Sequence, residues 1–487
     1  MKLNGGIFLV LQLILLLSGC KKNEKRPNVV FIFADQYRRA SMGFLNEDPV
    51  VTPNIDKLAQ EGVFFSKAVS NHPLCSPYRG MLMTGQYPLS NGVISNCHSG
   101  RNQYGNFIKK DAVCLSDVLT QNGYNAGFIG KWHLDGPKPE LGSNINIWDS
   151  WTPFDHRHGF DFWYAYGCSN NHLNPHYWTT HAKEDEKHYI EQWSSEHEAD
   201  IVIRYIENKG DSLRNSAKPF ALIWAPNPPH APYDLYPDKY KEHYNGKTIE
   251  DVLNRPNVRY KNDTTFKAGD PYVESNIHHA INYFAMVNGV DEQIGRVIEK
   301  LKQEGLYDNT IIIFSSDHGE MMGSHGLMQK NIWFKESYEI PFIVHWPQKI
   351  EPKTDDLLIS VPDYMPTILG LVGLEDKIPE SVEGNDYSGV LWGRDVERPS
   401  LQLYFGTTPD KKHLGLRGFR NHQYTFAVNK LSEREKIYFL YDDVNDPYQM
   451  NNIWGKDTIT DNSMKFQLDS LLNSMDDPWI GHDRISQ

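Results

Sequence analysis

Two acidic residues stand where apolar runs stop. Asp35-Gln36 follows VVFIFA (Val29–Ala34), and Asp317-His318 follows TIIIFS (Thr310–Ser315). Two carboxylates, an amide oxygen and an imidazole form a donor set that suits a hard divalent cation such as Ca²⁺ or Mg²⁺. Each pair taken alone also suits a helix N-cap, because Asp after a strand often caps the next helix. Cys75 lies in NHPLCSPYRGMLMTG, two residues before Pro77 and four before Arg79. A cysteine beside a guanidinium reads as an activated nucleophile, or as a buried thiol next to a surface arginine. Lys131 and His133 follow a short apolar run and a glycine, His230 sits among prolines in PPHAP, and Lys330 lies in HGLMQKNIWFKES. One at a time these are a solvated lysine, a core histidine, a turn histidine and a surface lysine. Together they describe an anion-handling hydrolase with a metal and a cysteine. A cysteine protease shares the Cys, His and Asn/Asp vocabulary. A thiolate nucleophile beside a hard metal is chemically inconsistent, since thiolates prefer soft ions.

The elements that must position these residues are visible as patterns. VVFIFA, AGFI (Ala126–Ile129), FALIWA (Phe220–Ala225) and TIIIFS are continuous apolar runs, as in strands buried on both faces. Pro53-Asn54 opens a helix over Ile55–Glu61, ended by Gly62. Val290, Ile294, Val297 and Leu301 recur at helical spacing, which predicts a long amphipathic helix over about Ile277–Glu304. Strands alternating with helices predict an α/β fold, with a large, mostly parallel sheet sandwiched by helices. Open α/β sheets collect ligands past the C-terminal ends of their strands. The site is therefore expected where Asp35, Lys131, the region after Ala225 and Asp317 converge. No Gly-rich phosphate loop stands at these strand ends, so nucleotide binding is not expected. After about Pro399 the short runs Leu401–Phe405, Leu414–Phe419, Tyr424–Val428 and Lys436–Tyr441 predict an antiparallel sheet. With a helix over about Asn462–Met475, they make a smaller C-terminal α+β subdomain. Tyr233–Asp270, rich in Pro, Asn, Tyr and charge, reads as a long surface insertion.

The chain has 487 residues, 39% hydrophobic and 12% aromatic, which suits one large globular domain plus a smaller one. A formal net charge of −13 gives a field that does not favour nucleic acid, so an anionic substrate needs locally concentrated positive charge. Lys2 precedes an apolar run, Ile7–Leu17, too short to span a membrane, which ends in Leu17-Ser18-Gly19-Cys20. These small residues before Cys20 resemble a bacterial lipobox. That implies a signal peptide over 1–19, lipidation of Cys20 and a tether over 20–27; the alternative is an ordinary signal peptide that contains a cysteine. The expectation is an exported lipoprotein, periplasmic or on the outer membrane or cell surface, touching the membrane only through its lipid. Of the other cysteines, Cys97 and Cys114 pair, or they and Cys168 stay buried thiols; the spacing leaves both open.

Cys75-Ser76-Pro77-Tyr78-Arg79-Gly80, with Met83-Thr84-Gly85, resembles the signature of the formylglycine-dependent sulfatases of the alkaline-phosphatase-like superfamily. Further motifs agree in order: NVVFIFADQ (Asn28–Gln36), Thr52–Ala59 with Glu61-Gly62, Gly130–Leu134, Pro229–Pro232, Ser316–Glu320, Gly326–Lys330, and Leu440–Asp442 with Asp446-Pro447. The resemblance spans Asn28 to about Asn452, with a catalytic domain over 28–398 and the subdomain over 399–487. Tyr78 stands where Ser or Ala is usual, Gln36 where a second Asp is, and His318 where Asn is.

The resemblance implies that a maturase oxidises Cys75 to Cα-formylglycine. It implies that Asp35, Gln36, residue 75, Asp317 and His318 hold Ca²⁺ or Mg²⁺, and that Arg79, Lys131, His133, His230 and Lys330 handle the sulfuryl group and leaving alcohol. The hydrated aldehyde would attack sulfur, with Asp317 as base and His230 or His133 protonating the alcohol; its second hydroxyl would expel sulfate. A serine or cysteine there would keep its sulfate, so the aldehyde removes the thiol–metal conflict. Trp151, Trp163, Tyr164, Tyr177 and Trp178, with His158, His172 and His176, lie between two of the motifs. Such aromatics stack on sugars or pack a core. The expected substrate is a sulfated polysaccharide or oligosaccharide, such as ulvan, carrageenan or a glycosaminoglycan. The alternatives are a phosphonate or phosphate ester hydrolase on the same scaffold, and an inactive lipid-anchored glycan-binding protein.

Overall fold

VVFIFA is apolar at every position because alternate residues feed two cores. Val30, Ile32 and Ala34 enter one, and Val29, Phe31 and Phe33 the other. The computed structural model describes residues 25–139, 145–210, 212–262 and 272–481. The expected signal peptide, Cys20 and most of the tether lie outside the described residues, as does the end of the 233–270 segment.

In chain order the large sheet contains β1 (Asn28–Ala34), β2 (Val63–Phe65), β3 (Asn125–Lys131), β4 (Phe162–Tyr166), β5 (His176–Thr179), β6 (His188–Tyr189), β7 (Phe220–Ala225), β8 (Thr310–Ser316), β9 (Phe342–His345) and β10 (Lys353–Asp355). Their spatial order is β10-β2-β9-β8-β1-β7-β3-β4-β5-β6. The centre, β8-β1-β7-β3-β4, is parallel throughout. Its ends are closed by antiparallel pairings, β8 with β9 and β4 with β5.

Helices cover both faces. On one lie α1 (Pro53–Glu61), α4 (Ser194–Glu207) and α5 (Ala280–Gln303); on the other α2 (Cys75–Thr84), α3 (Leu115–Gln121) and α6 (Tyr364–Leu371). The long helix starts later than its spacing predicts, because Ile277–His279 forms a separate 3₁₀ turn. A second sheet of β11 (Gln402–Gly406), β12 (Gly415–Arg420), β13 (Tyr424–Lys430) and β14 (Lys436–Asp442) is antiparallel. Helix α7 (Thr458–Ser474) covers it, burying Met464, Leu468 and Leu472 against Phe405, Phe419 and Phe426.

One expectation needs correction, and two alternatives left open by the sequence are decided. The 233–262 segment is not a surface appendage, because Tyr233, Tyr236, Tyr240 and Tyr244 are buried in one core with Tyr283 and Phe284 of α5. Their rings pack while hydroxyls such as Tyr236 Oη, 2.8 Å from Asn282 Oδ1, stay bonded. Trp163, Tyr164, Tyr177 and Trp178 are buried as well, and Trp151 is half-buried with Nε1 bonded to the Ala182 carbonyl. They pack the sheet instead of standing open to a ligand. Finally, Cys75, Cys97, Cys114 and Cys168 are all free thiols.

Candidate active site

The parallel strands deliver their next residues to one place. Asp35 follows β1, Lys131 ends β3, Asn227 stands two residues past β7, and Asp317 follows β8. All four are completely buried. Gly130 makes the end of β3 possible: its φ is +103°, and a Cβ there would meet the Ala225 carbonyl. Gln36 and His133 adopt left-handed backbone, at φ +65° and +54°, where the chain turns out of β1 and β3.

Helix α2 begins at Cys75, after the extended Leu74. Pro77 falls in its first turn, where a missing N–H costs nothing. Arg79 is one turn on, so it shares a face with Cys75. Arg79 Nη2 lies 3.1 Å from Asp35 Oδ2 and 3.2 Å from Asp317 Oδ2, Nη1 donates to the Lys131 carbonyl, and the guanidinium lies 4.8 Å from the Phe33 ring centre. Tyr78 points elsewhere. It packs on Phe33 with ring centres 5.5 Å apart, and its hydroxyl lies 3.3 Å from Ser315 Oγ. The unusual tyrosine therefore fills core space.

Asp35, Cys75, Asp317 and His318 place their ligand atoms within 4.8 Å of one another. His318 Nδ1 lies 2.9 Å from the Gly319 carbonyl, which only accepts, so Nδ1 carries the proton. Its Nε2 lone pair then faces Asp35 Oδ1 at 3.6 Å, Asp317 Oδ1 at 3.5 Å and Cys75 Sγ at 3.4 Å. Arg79 spans the Oδ2 atoms of the two carboxylates, while their Oδ1 atoms, the His318 lone pair and residue 75 converge as a buried donor set that fits a cation. Gln36 is less free. Its Oε1 accepts from Lys330 Nζ at 2.6 Å, and its amide nitrogen donates to Tyr233 Oη at 2.7 Å and to Glu320. Its backbone N–H holds Asp317 Oδ1 at 2.9 Å.

Burial pushes the Asp35 carboxyl up, but the Lys131 ammonium and the Arg79 guanidinium overcome it and hold it well below the carboxylate range. Asp317 moves the other way, raised by burial and by the Asp35 charge. Burial and Asp35 push the Cys75 thiol up to about 12. An unmodified Cys75 is thus a protonated thiol at neutral pH and a poor nucleophile.

Lys131 Nζ lies 2.6 Å from Asp35 Oδ2, 3.9 Å from Cys75 Sγ and 3.2 Å from Asn227 Oδ1. Lys330 Nζ lies 2.9 Å from His230 Nε2. His230 is held from behind by His172, whose Nε2 lies 2.8 Å from the His230 carbonyl. His133 Nε2 lies 3.1 Å from the Cys97 carbonyl, and its Nδ1 has no bonding partner among the described residues. Burial, with Lys131 beside His133 and Lys330 beside His230, lowers both imidazoles well below their usual range. The other five expected reacting residues, Arg79, Lys131, His133, His230 and Lys330, therefore gather around Cys75. Of the other singled-out histidines, His176 pairs with Asp149 at 2.8 Å and His158 lies 3.7 Å from Asp117.

A cavity of about 540 Å³ opens on this cluster. Its lining adds Trp148, Asn96, Asn170 and Cys168. Sequence reasoning singled out none of these for the site, nor Asn227, Glu320 or Tyr233. Asn227 carried the one usable signal, its place in PNPPHAP three residues before His230.

Known proteins place this arrangement. The sulfatase profile matches residues 27–374, and one described as N-sulphoglucosamine sulphohydrolase, C-terminal, matches residues 323–476. The chain is 38% identical to the endo-4-O-sulfatase of Bacteroides thetaiotaomicron, over 95% of this chain and 96% of that protein. It is 32% identical to an ulvan-active sulfatase of Formosa agariphila, over 92% of this chain and 80% of that protein. The crystal structure of the sulfatase candidate YidJ from Bacteroides fragilis superposes with a TM-score of 0.85 at 40% identity, covering 95% of this chain and 99% of that one. The chain therefore belongs to the sulfatase family, sulfuric ester hydrolases that generally use a formylglycine and a divalent metal.

Proposed function

We propose that this sulfatase removes sulfate from a sulfated polysaccharide or oligosaccharide, with residue 75 as formylglycine and Ca²⁺ held by Asp35, Asp317, His318 and residue 75, Gln36 contributing its amide oxygen. The observation that carries the reading is the gathering of Arg79, Lys131 and Lys330 at one thiol in a protein of net charge −13. Two relatives named for carbohydrate sulfate chemistry, the endo-4-O-sulfatase and the ulvan-active sulfatase, support the substrate class.

Hydrated formylglycine would supply an oxygen nucleophile at residue 75, and a divalent cation held by Asp35, Asp317 and His318 would lower its pKa and offset charge on the sulfuryl oxygens. The chain's own groups do the rest. Asp317, within reach of residue 75, takes up the proton released there. Arg79 keeps Asp35 and Asp317 from repelling each other. Lys131 and Lys330 both line the cavity, where their charges offset that of the sulfuryl oxygens. The Lys330–His230 pair delivers a proton to the leaving oxygen. Asn227 holds Lys131 in place from behind.

We further propose that the protein is exported and anchored by a lipid on Cys20, as the LSGC segment implies. The reading is tested by mass spectrometry of the residue-75 peptide from chain co-expressed with a maturase, together with sulfate release from sulfated oligosaccharides. Aldehyde at residue 75 with sulfate release is the expected result. Active enzyme carrying only free thiol would sink it.

A further inference from the structure

The cavity is much larger than a sulfate ion needs, and its far wall differs from its floor. The floor is cationic. Among the described lining residues the wall has no carboxylate, and it carries one large ring and several side-chain amides.

Trp148 is that ring. It is 41% exposed, while Trp163, Trp178, Trp193 and Trp224 are each 2% exposed or less. An indole left open beside a reactive centre calls for a reason beyond packing. It is also held in place. His98, itself buried, lies against it with ring centres 4.6 Å apart, and His133 follows at 6.1 Å. Paired backbone and side-chain bonds between Ser99 and Ile147, at 2.9 and 2.8 Å, fix the loop just before it.

Two of the amides have a settled polarity. Asn96 faces the Ser76 backbone N–H at 3.1 Å; an N–H only donates, so the Asn96 atom there is its oxygen. What Asn96 has left to offer is its NH₂. Asn170 is set by a chain starting at Lys131. The ammonium only donates, so the Asn227 atom 3.2 Å away is oxygen. The Asn227 NH₂ then donates to the Ser169 carbonyl at 2.8 Å and to Asn170 Oδ1 at 3.1 Å. Asn170, too, has its NH₂ left over.

An exposed, braced indole beside two fixed amide donors is the lining that a pyranose requires. Sugars offer an apolar face of C–H groups and a rim of oxygen acceptors. Resting on the sulfatase reading above, we propose that Trp148, Asn96 and Asn170 form the subsite for the sugar ring that carries the scissile sulfate. Trp148 takes the C–H face, and the two amides donate to ring or hydroxyl oxygens. The catalytic lysine and the sugar contact are thereby linked, since Lys131 orients Asn170 through Asn227.

The test uses full-length enzyme with residue-75 oxidation measured for each preparation, assayed on a panel of monosulfated disaccharides and on nitrophenyl sulfate. Trp148→Ala is expected to raise KM for the cleaved disaccharide about tenfold or more while kcat falls less than about threefold, and Trp148→Phe to recover most of the loss. Asn170→Asp changes an exposed residue and turns a donor into a charged acceptor; it is expected to raise KM at least as much. Wild-type KM for the disaccharide in both Trp148→Ala and Asn170→Asp would overturn the subsite alone. If oxidised wild-type enzyme cleaves nitrophenyl sulfate but no disaccharide, the carbohydrate reading falls and the subsite with it.

Discussion

Lys330 Nζ lies 2.9 Å from His230 Nε2, and His230 Nδ1 lies 2.7 Å from the Ala231 carbonyl. The carbonyl accepts only and the ammonium donates only, so the imidazole is neutral, with its proton on Nδ1 and its lone pair toward Lys330. The proton nearest the cavity therefore belongs to the lysine, and the histidine receives it. Neither residue is a complete acid alone.

Lys330→Ala removes both the charge and the proton source. Turnover per formylglycine is expected to fall roughly 10²- to 10⁴-fold. His230→Ala should fall in the same range, and the double variant little further. Steady-state kinetics on one sulfated disaccharide checks all three; near-normal turnover in Lys330→Ala would remove it from the sulfate site.

Arg79 bridges two buried carboxylates and lies against Phe33. Arg79→Ala leaves Asp35 and Asp317 facing each other with only Lys131 between them and solution. The expected cost is about 3–5 kcal/mol of stability. Urea denaturation of the unoxidised chain measures it without interference from maturation.

Removing the cation should both inactivate and destabilise the enzyme. A ligand that binds only the folded state at about a thousandfold over its Kd stabilises by about 4 kcal/mol. Chelation is expected to lower Tm accordingly and to abolish sulfate release, with Ca²⁺ restoring both. Calorimetry with and without chelator checks this. An unchanged Tm together with retained activity would contradict a cation at His318.

Glu198 offers a pH prediction away from the cluster. Burial raises its carboxyl from the ordinary 4.5 to about 8, against hydrogen bonds from Trp224 Nε1 at 3.0 Å and Tyr177 Oη at 2.9 Å. A raised acid pKa means that the folded state holds a proton the unfolded state has lost. Its contribution is complete below about 4.5 and fades as pH rises toward about 8. Glu198→Gln is neutral throughout, and its NH₂ can donate to Tyr177 while its oxygen accepts from Trp224. Relative to wild type it should gain Tm between pH 5 and 8; a parallel pair of melting profiles would disprove the assignment.

Much of the scaffold was legible because it depends on local patterns. FALIWA is β7 to the residue, VVFIFA extends by one residue to become β1, and TIIIFS extends by one to become β8. Strands buried on both faces must be apolar throughout, and that needs no knowledge of neighbours. The four C-terminal strands appeared within two residues of their expected ends, for the same reason of short apolar runs between turns. The aromatic cluster before His230 stays ambiguous in the sequence because stacking on sugar and packing in a core use the same residue types. Only the fold distinguishes buried Trp163 from open Trp148.

The sequence by itself determined which chemical groups arrive at the strand ends, since strand, turn and polar residue are contiguous there. It also carried, through the Cys75–Gly80 motif and its companions, the sulfatase resemblance that the comparisons support. Tertiary structure decided what those groups do to one another. Arg79 meets Asp35 across 44 residues and Asp317 across 238, and Lys330 meets Gln36 across 294. Contacts at such separations exist only once the sheet has brought distant strand ends together among buried side chains. There charges are only weakly screened, so Asp35 and Asp317 shift in opposite directions, the Cys75 thiol keeps its proton, and the neighbours of each imidazole choose its tautomer.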